Sequence, residues 1–148
     1  MKIRFIYQGD DYYQAREIII TKLCESVATI IDLPEEIEIK IAYLGESIYG
    51  NTNIGHRFKN RITINSNLTV KEIPEIIIHE LIHLNQVHIG LLRVSRIGQY
   101  YWNNKQYNIS DLNKMEYSQY QQLPWEQDVA QKQQILLQKA LVYAIKKG

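Results

Sequence analysis

Between Pro74 and Ile89 the chain carries a stretch that is apolar on nearly every side of a helix, and three ionisable residues, His79, Glu80 and His83, sit inside it. Ile76, Ile77, Ile78, Leu81, Ile82, Leu84, Val87 and Ile89 leave no solvent face, so this stretch predicts a helix buried within a globular unit. Such a helix cannot carry two imidazoles and a carboxylate without partners, because burying them alone costs several kcal/mol. The fold must therefore supply either hydrogen bonds to satisfy them or a cation for them to hold.

The spacing His79-Glu80-Leu81-Ile82-His83 favours the cation. Residues four apart on a helix lie one turn above the other on the same face, so His79 and His83 project side by side. Imidazole nitrogens bind Zn²⁺ at about 2.0–2.1 Å, and a pair at this spacing can close on one ion without bending the backbone. Glu80 is turned about 100° from His79, which places it beside the ion rather than on it. A carboxylate there can act as general base for a water whose pKa the metal lowers towards about 7.

The rest of the chain reads as one α/β (α+β) domain covering residues 1–148. Residues 2–7 open a strand. Tyr13 to Ile31 reads as an amphipathic helix with Ile19, Leu23, Val27 and Ile30 inward, and Ile37, Ile39 and Ile41 alternate with charged residues as a half-buried strand. Gly45 to Gly55 reads as loop, and Arg61 to Asn65 as a second alternating strand. Pro74 suits the first turn of the central helix, Thr69 with Glu72 could cap a preceding turn, and Gly90 stops it. Tyr100-Tyr101-Trp102 and Gln106-Tyr107-Asn108 around an Asn-rich turn predict a β-hairpin. A final helix runs from Glu126 to Lys146 with Val129, Ile135, Leu136 and Leu137 towards the core.

A net charge of +1 with no basic cluster provides no footprint for nucleic acid, and no apolar run is long enough to span a bilayer. The amino terminus lacks the apolar core of a signal peptide, so a cytoplasmic location is expected. The lone Cys24 cannot form an internal disulfide and reads as a buried structural thiol.

A catalytic zinc held by two helix histidines needs one further protein ligand and keeps a position for water. Glu126 and Asp128, in the first turn of the last helix, both have the reach; in the simpler alternative they only complement the helix dipole. Glu126 is preferred, for its length and because Pro124 sets the start of that helix. His88 falls off the face of His83, and His56 lies in a loop. Tyr117 and Tyr120 are candidate donors to an oxyanion.

Strand, loop, strand, HExxH helix and a carboxylate on a later helix together resemble the glutamate-ligand branch of the zincin metallopeptidases. The stretch Ile77 to Gln86, followed by an aromatic hairpin and Leu123-Pro124-Trp125-Glu126-Gln127-Asp128, is similar to small HExxH proteins of tailed bacteriophages. The resemblance implies a zincin-like fold, a small twisted mixed sheet packed on the N-terminal and HExxH helices with a C-terminal helix beyond. It implies Zn²⁺ as cofactor, with His79, His83 and Glu126 as ligands, Glu80 as general base, and hydrolysis of peptide bonds in a peptide or protein substrate. It further implies that Arg61 to Asn65 is the edge strand along which substrate lies. Three positions depart from relatives: Gln86 and Ile89 replace the glycine and third histidine of the longer metzincin signature, and Ala130 stands where an aspartate supporting a histidine is often found. The rival expectation is a non-catalytic structural or virion-assembly protein, with virion components as partners, in which zinc serves folding.

Overall fold

A computed structural model describes residues 1–9, 14–52, 60–109 and 115–147, with side chains as far as residue 143. Its elements run β1 (Lys2–Tyr7), α1 (Gln14–Ala28), β2 (Glu36–Ala42), β3 (Gly50–Thr52), β4 (Arg61–Asn65), α2 (Ile73–His88), β5 (Leu92–Val94), β6 (Tyr100–Trp102), β7 (Lys105–Tyr107), α3 (Tyr117–Gln121) and α4 (Pro124–Lys147). This is a mixed α and β chain with two sheets, and no described helix is long and apolar enough to cross a membrane.

The larger sheet has the order β1-β2-β4-β3, with β1, β2 and β4 parallel and β3 antiparallel to β4. Ile37, Ile39, Ile41, Ile62 and Ile64 are buried on one face, and they join Ile20, Leu23 and Val27 of α1, the apolar residues of α2, and Val129, Leu136 and Ala140 of α4 in the main core. The period-two alternation that marked β2 and β4 thus separates a core face from a charged one. On the charged face Arg4 and Arg61 flank Glu38 across three adjacent strands and pair with its carboxylate, which holds that carboxyl below the usual range.

Several sequence expectations are corrected. The expected loop Gly45 to Gly55 contains a strand, β3, and this strand rather than Arg61–Asn65 is the sheet edge on that side. Three residues, Gly-Asn-Thr, carry no periodic signal and poor strand propensity; pairing with β4 and packing against α2 make the strand. Gly50 shows how close that packing is. A Cβ there would lie 3.1 Å from the Thr63 carbonyl oxygen and 3.2 Å from Ile76 Cγ2, so only glycine lets β3 sit on the helix. Ile30 and Ile135, assigned to the core, are 38% and 57% exposed, while Ile20 and Cys24 are fully buried; the periodicity was right and the chosen face slightly rotated. Tyr13 and the Gly55 end of the expected loop lie outside the described residues.

Helix α2 starts where its chemistry dictates. The Thr69 and Glu72 side chains close a turn ahead of it, and Pro74 occupies the first helical turn. It ends in a Schellman motif: Gly90 at φ 79° lets its N–H reach Val87 O and that of Leu91 reach Gln86 O. Beyond it β5, β6 and β7 form a small antiparallel sheet. Asn103 and Asn104, at φ 50° and 66°, make the two-residue turn between β6 and β7. The rings of this sheet receive Trp125, which stacks on Tyr100 at 5.5 Å and meets Tyr107 edge-on at 6.0 Å. Trp125 is 2% exposed, so the first turn of α4 is anchored to the hairpin.

Gly50→Ala should lower unfolding stability by about 1–3 kcal/mol, read by denaturant unfolding, because backbone and the partly buried Ile76 must give way to the added methyl. Unchanged stability would show that β3 is not held against α2.

Candidate metal centre

Two elements bring three ionisable side chains to one place. Helix α2 presents His79 and His83, whose ring centroids are 5.0 Å apart, and the anchored first turn of α4 presents Glu126. His83 Nε2 lies 2.9 Å from Glu126 Oε1, and His79 Nε2 lies 3.5 Å from Glu126 Oε2. Ligand atoms of the three residues lie within 4.8 Å of one another, a group able to hold a metal ion. His83 and Glu126 are buried, and His79 is about one-third exposed.

The proton positions on both rings follow from their neighbours. Gln86 Nε2 donates to the Trp125 carbonyl and to Asp128 Oδ2, both at 2.9 Å, and these partners can only accept. Gln86 Oε1 must therefore be the atom 2.9 Å from His83 Nδ1, which makes Nδ1 the protonated nitrogen. Gln133 treats His79 in the same way: its Nε2 donates to the Glu75 carbonyl at 3.3 Å, leaving Oε1 to accept from His79 Nδ1 at 3.1 Å. In the neutral rings both Nε2 atoms are then bare lone pairs aimed at a carboxylate.

Lone pairs facing a carboxylate at 2.9 Å repel, so a positive charge belongs between them. Glu126 Oε1 makes the same demand, being fully buried without a hydrogen-bond donor. Two ligands each about 2.0–2.1 Å from a tetrahedral ion stand about 3.3 Å apart, and the observed 2.9 and 3.5 Å bracket that value. The donor set fits a divalent cation.

Protons are the competing cations. Burial opposes a charge on His83 and His79, yet the Glu126 and Glu80 carboxylates together outweigh it and both pKa values rise above the ordinary 6.5. Burial likewise works against ionised Glu126, and the two histidines overcome it and hold the carboxyl well below the usual range. For Glu80, on the adjacent face, burial outweighs the opposing pull of His83, Thr52 and His79 and raises its pKa. Its carboxylate accepts a 2.6 Å hydrogen bond at Oε2 from the Thr52 hydroxyl on β3.

The cluster opens on a cleft of about 690 Å³. Segment Ser47–Gly50 forms one part of its lining, α2 and α4 another, and α3 a third. Asn65, 2% exposed, shapes the first of these by donating to the carbonyls of Gly45 and Ile48, each at 2.7 Å. Tyr120 lines the cleft against Glu126, and burial raises its pKa, so its phenol stays a hydrogen-bond donor; Tyr117 stands at the rim, 73% exposed.

The sequence candidates thus separate. Glu126 joins the histidines, whereas Asp128 is committed to Gln86 and to Lys132 at 2.9 Å. His88 faces Asp32 at 3.5 Å, away from the cluster, and His56 lies outside the described residues. Ala130 lines the cleft, and Gln86 and Gln133 do what an aspartate four residues after the glutamate would have done. Those glutamines, with Thr52, Gly50 and Asn65, escaped sequence reasoning. A helical spacing of three from His83 to Gln86 was the one local signal.

Searched by sequence and by fold, no family model, curated protein or solved structure matches this chain.

Two outcomes follow. Removing the Gln86 amide with Gln86→Leu should weaken zinc affinity by roughly 10–100-fold in a chelator competition, and Glu126→Ala by more; wild-type affinity in Gln86→Leu would disprove its control of His83. In metal-free protein the raised histidine pKa values mean the folded state binds more protons than the unfolded one. That stability is complete below pH 6.5 and is lost as pH rises through the folded values, and the raised Glu80 pKa acts in the same direction above 4.5. Zinc should therefore raise the melting temperature more at pH 8 than at pH 6, by differential scanning calorimetry. Equal or opposite increments would contradict the linkage.

Proposed function

We propose that this chain is a zinc-dependent peptidase with a zincin-like fold, cleaving peptide bonds by direct attack of water. The observation that carries the reading is the convergence of His79, His83 and Glu126, with Glu80 alongside, at an open cleft next to edge strand β3. Two imidazoles and one carboxylate are a borderline-soft donor set that suits Zn²⁺ with a position left for water. A mixed sheet whose antiparallel edge strand runs beside the HExxH helix supports the zincin assignment. The access at His79 favours a catalytic site over a closed structural one.

Zinc held there supplies a Lewis acid and lowers the pKa of water. The protein does the rest. Glu80 takes the proton of the attacking water and returns it to the leaving amine; its burial raises its affinity for that proton. Thr52 holds one carboxylate oxygen and leaves the other for proton transfer. Tyr120 donates from its phenol towards the oxygen that gains charge as the carbonyl is attacked. The substrate backbone lies along β3, adding a strand to the sheet.

Glu80→Gln should reduce hydrolysis of a denatured protein substrate by at least about 10²-fold while one zinc per chain remains bound, measured by peptide release and metal analysis. Retained activity would remove Glu80 from the chemistry. Thr52→Val should lower kcat with little change in KM, and Thr52→Ser should restore it; equal loss in both would assign Thr52 a packing role only.

A further inference from the structure

The cleft has an uneven lining that its chemistry alone does not require. Among the described residues its charged groups besides the histidine are all carboxylates, Glu75, Glu80 and Glu126, and no lysine or arginine lines it. Glu126 and Glu80 serve the metal and the water. Glu75 serves neither: it is exposed one turn before His79 on the same face of α2, and among the described residues no cation pairs with it. Its backbone carbonyl supports Gln133, while its carboxylate is left to the cleft.

The rim is uneven in a second way. Ile48, Tyr49 and Tyr117 are 49%, 54% and 73% exposed, and all three line this cleft although they come from two separate elements. Large apolar groups held in water around a concave site are what a binding surface for a bulky side chain requires. Asn65 keeps Ile48 in place through its carbonyl, so this part of the rim is built rather than loose.

Resting on the peptidase reading, we propose that the cleft selects an extended peptide in which a lysine or arginine meets Glu75 and a large apolar or aromatic residue is gripped between Tyr49 and Tyr117, and that it rejects acidic peptides. With zinc offset by Glu80 and Glu126, Glu75 leaves the cleft one negative charge in excess. An acidic side chain would meet that charge with no cation to receive it, whereas a basic one completes a pair. The selectivity is modest, as an exposed pair is worth no more than about a fivefold change.

The test measures binding separately from cleavage. Unsubstituted zinc-loaded protein is titrated with fluorescein-labelled peptides whose central bond is an uncharged, hydrolysis-resistant hydroxyethylene isostere and which differ only in a Lys or a Glu beside a central Phe, with anisotropy as readout. The Lys peptide should bind about fivefold tighter, Glu75→Lys introduced into the same protein should reverse the order, and Tyr117→Ala should weaken both peptides by about fivefold. Equal affinities, or an order that survives Glu75→Lys, would overturn the selectivity. Hydrolysis by the unsubstituted chain reports on the other reading: cleavage without charge order keeps the peptidase and removes the selectivity, and charge order without cleavage does the reverse.

Discussion

The structure depends on one unfavourable arrangement, a buried carboxylate facing two imidazole nitrogens whose protons are held on the far side of each ring. Without a cation these groups repel in a medium that screens poorly. Much of the surrounding architecture reads as a means of keeping them there. The protonation changes follow from the same cause, since each histidine gains affinity for a proton from Glu126 and Glu126 loses it to them.

Holding the arrangement takes a relay that crosses both cores. Trp125 sits among the rings of the small sheet, and this anchors the first turn of α4 so that the next residue, Glu126, points at α2. The Trp125 carbonyl and Asp128 then receive Gln86, and Gln86 receives His83. The aromatic hairpin, remote from the cluster, thereby sets the position of one candidate ligand and the tautomer of another. Amides replace the carboxylates that commonly support metal-bound histidines. A neutral acceptor raises ring basicity less than a carboxylate would, and it keeps the already acidic cleft from gaining further charge.

The edge strand joins the two halves of the site. Gly50 allows β3 to touch α2, Thr52 on the same strand reaches the Glu80 carboxylate, and the residues just before it form the rim. The surface proposed to receive a substrate and the carboxylate proposed to activate water are therefore parts of one contact. A shift of the strand moves both.

Whatever depended on short-range periodicity was legible in the residues themselves: the buried α2 helix, His79 and His83 on one face, the stop at Gly90, the alternation of β2 and β4, and the turn at Asn103-Asn104. These are local consequences of helix and strand geometry and of which residues tolerate positive φ. The choice of Glu126 over Asp128, the roles of Gln86 and Gln133, the strand at Gly50–Thr52 and its place at the sheet edge were decided by tertiary structure. Each depends on side chains far apart in the chain meeting in space, and no spacing along a sequence encodes which acceptor a distant amide will find.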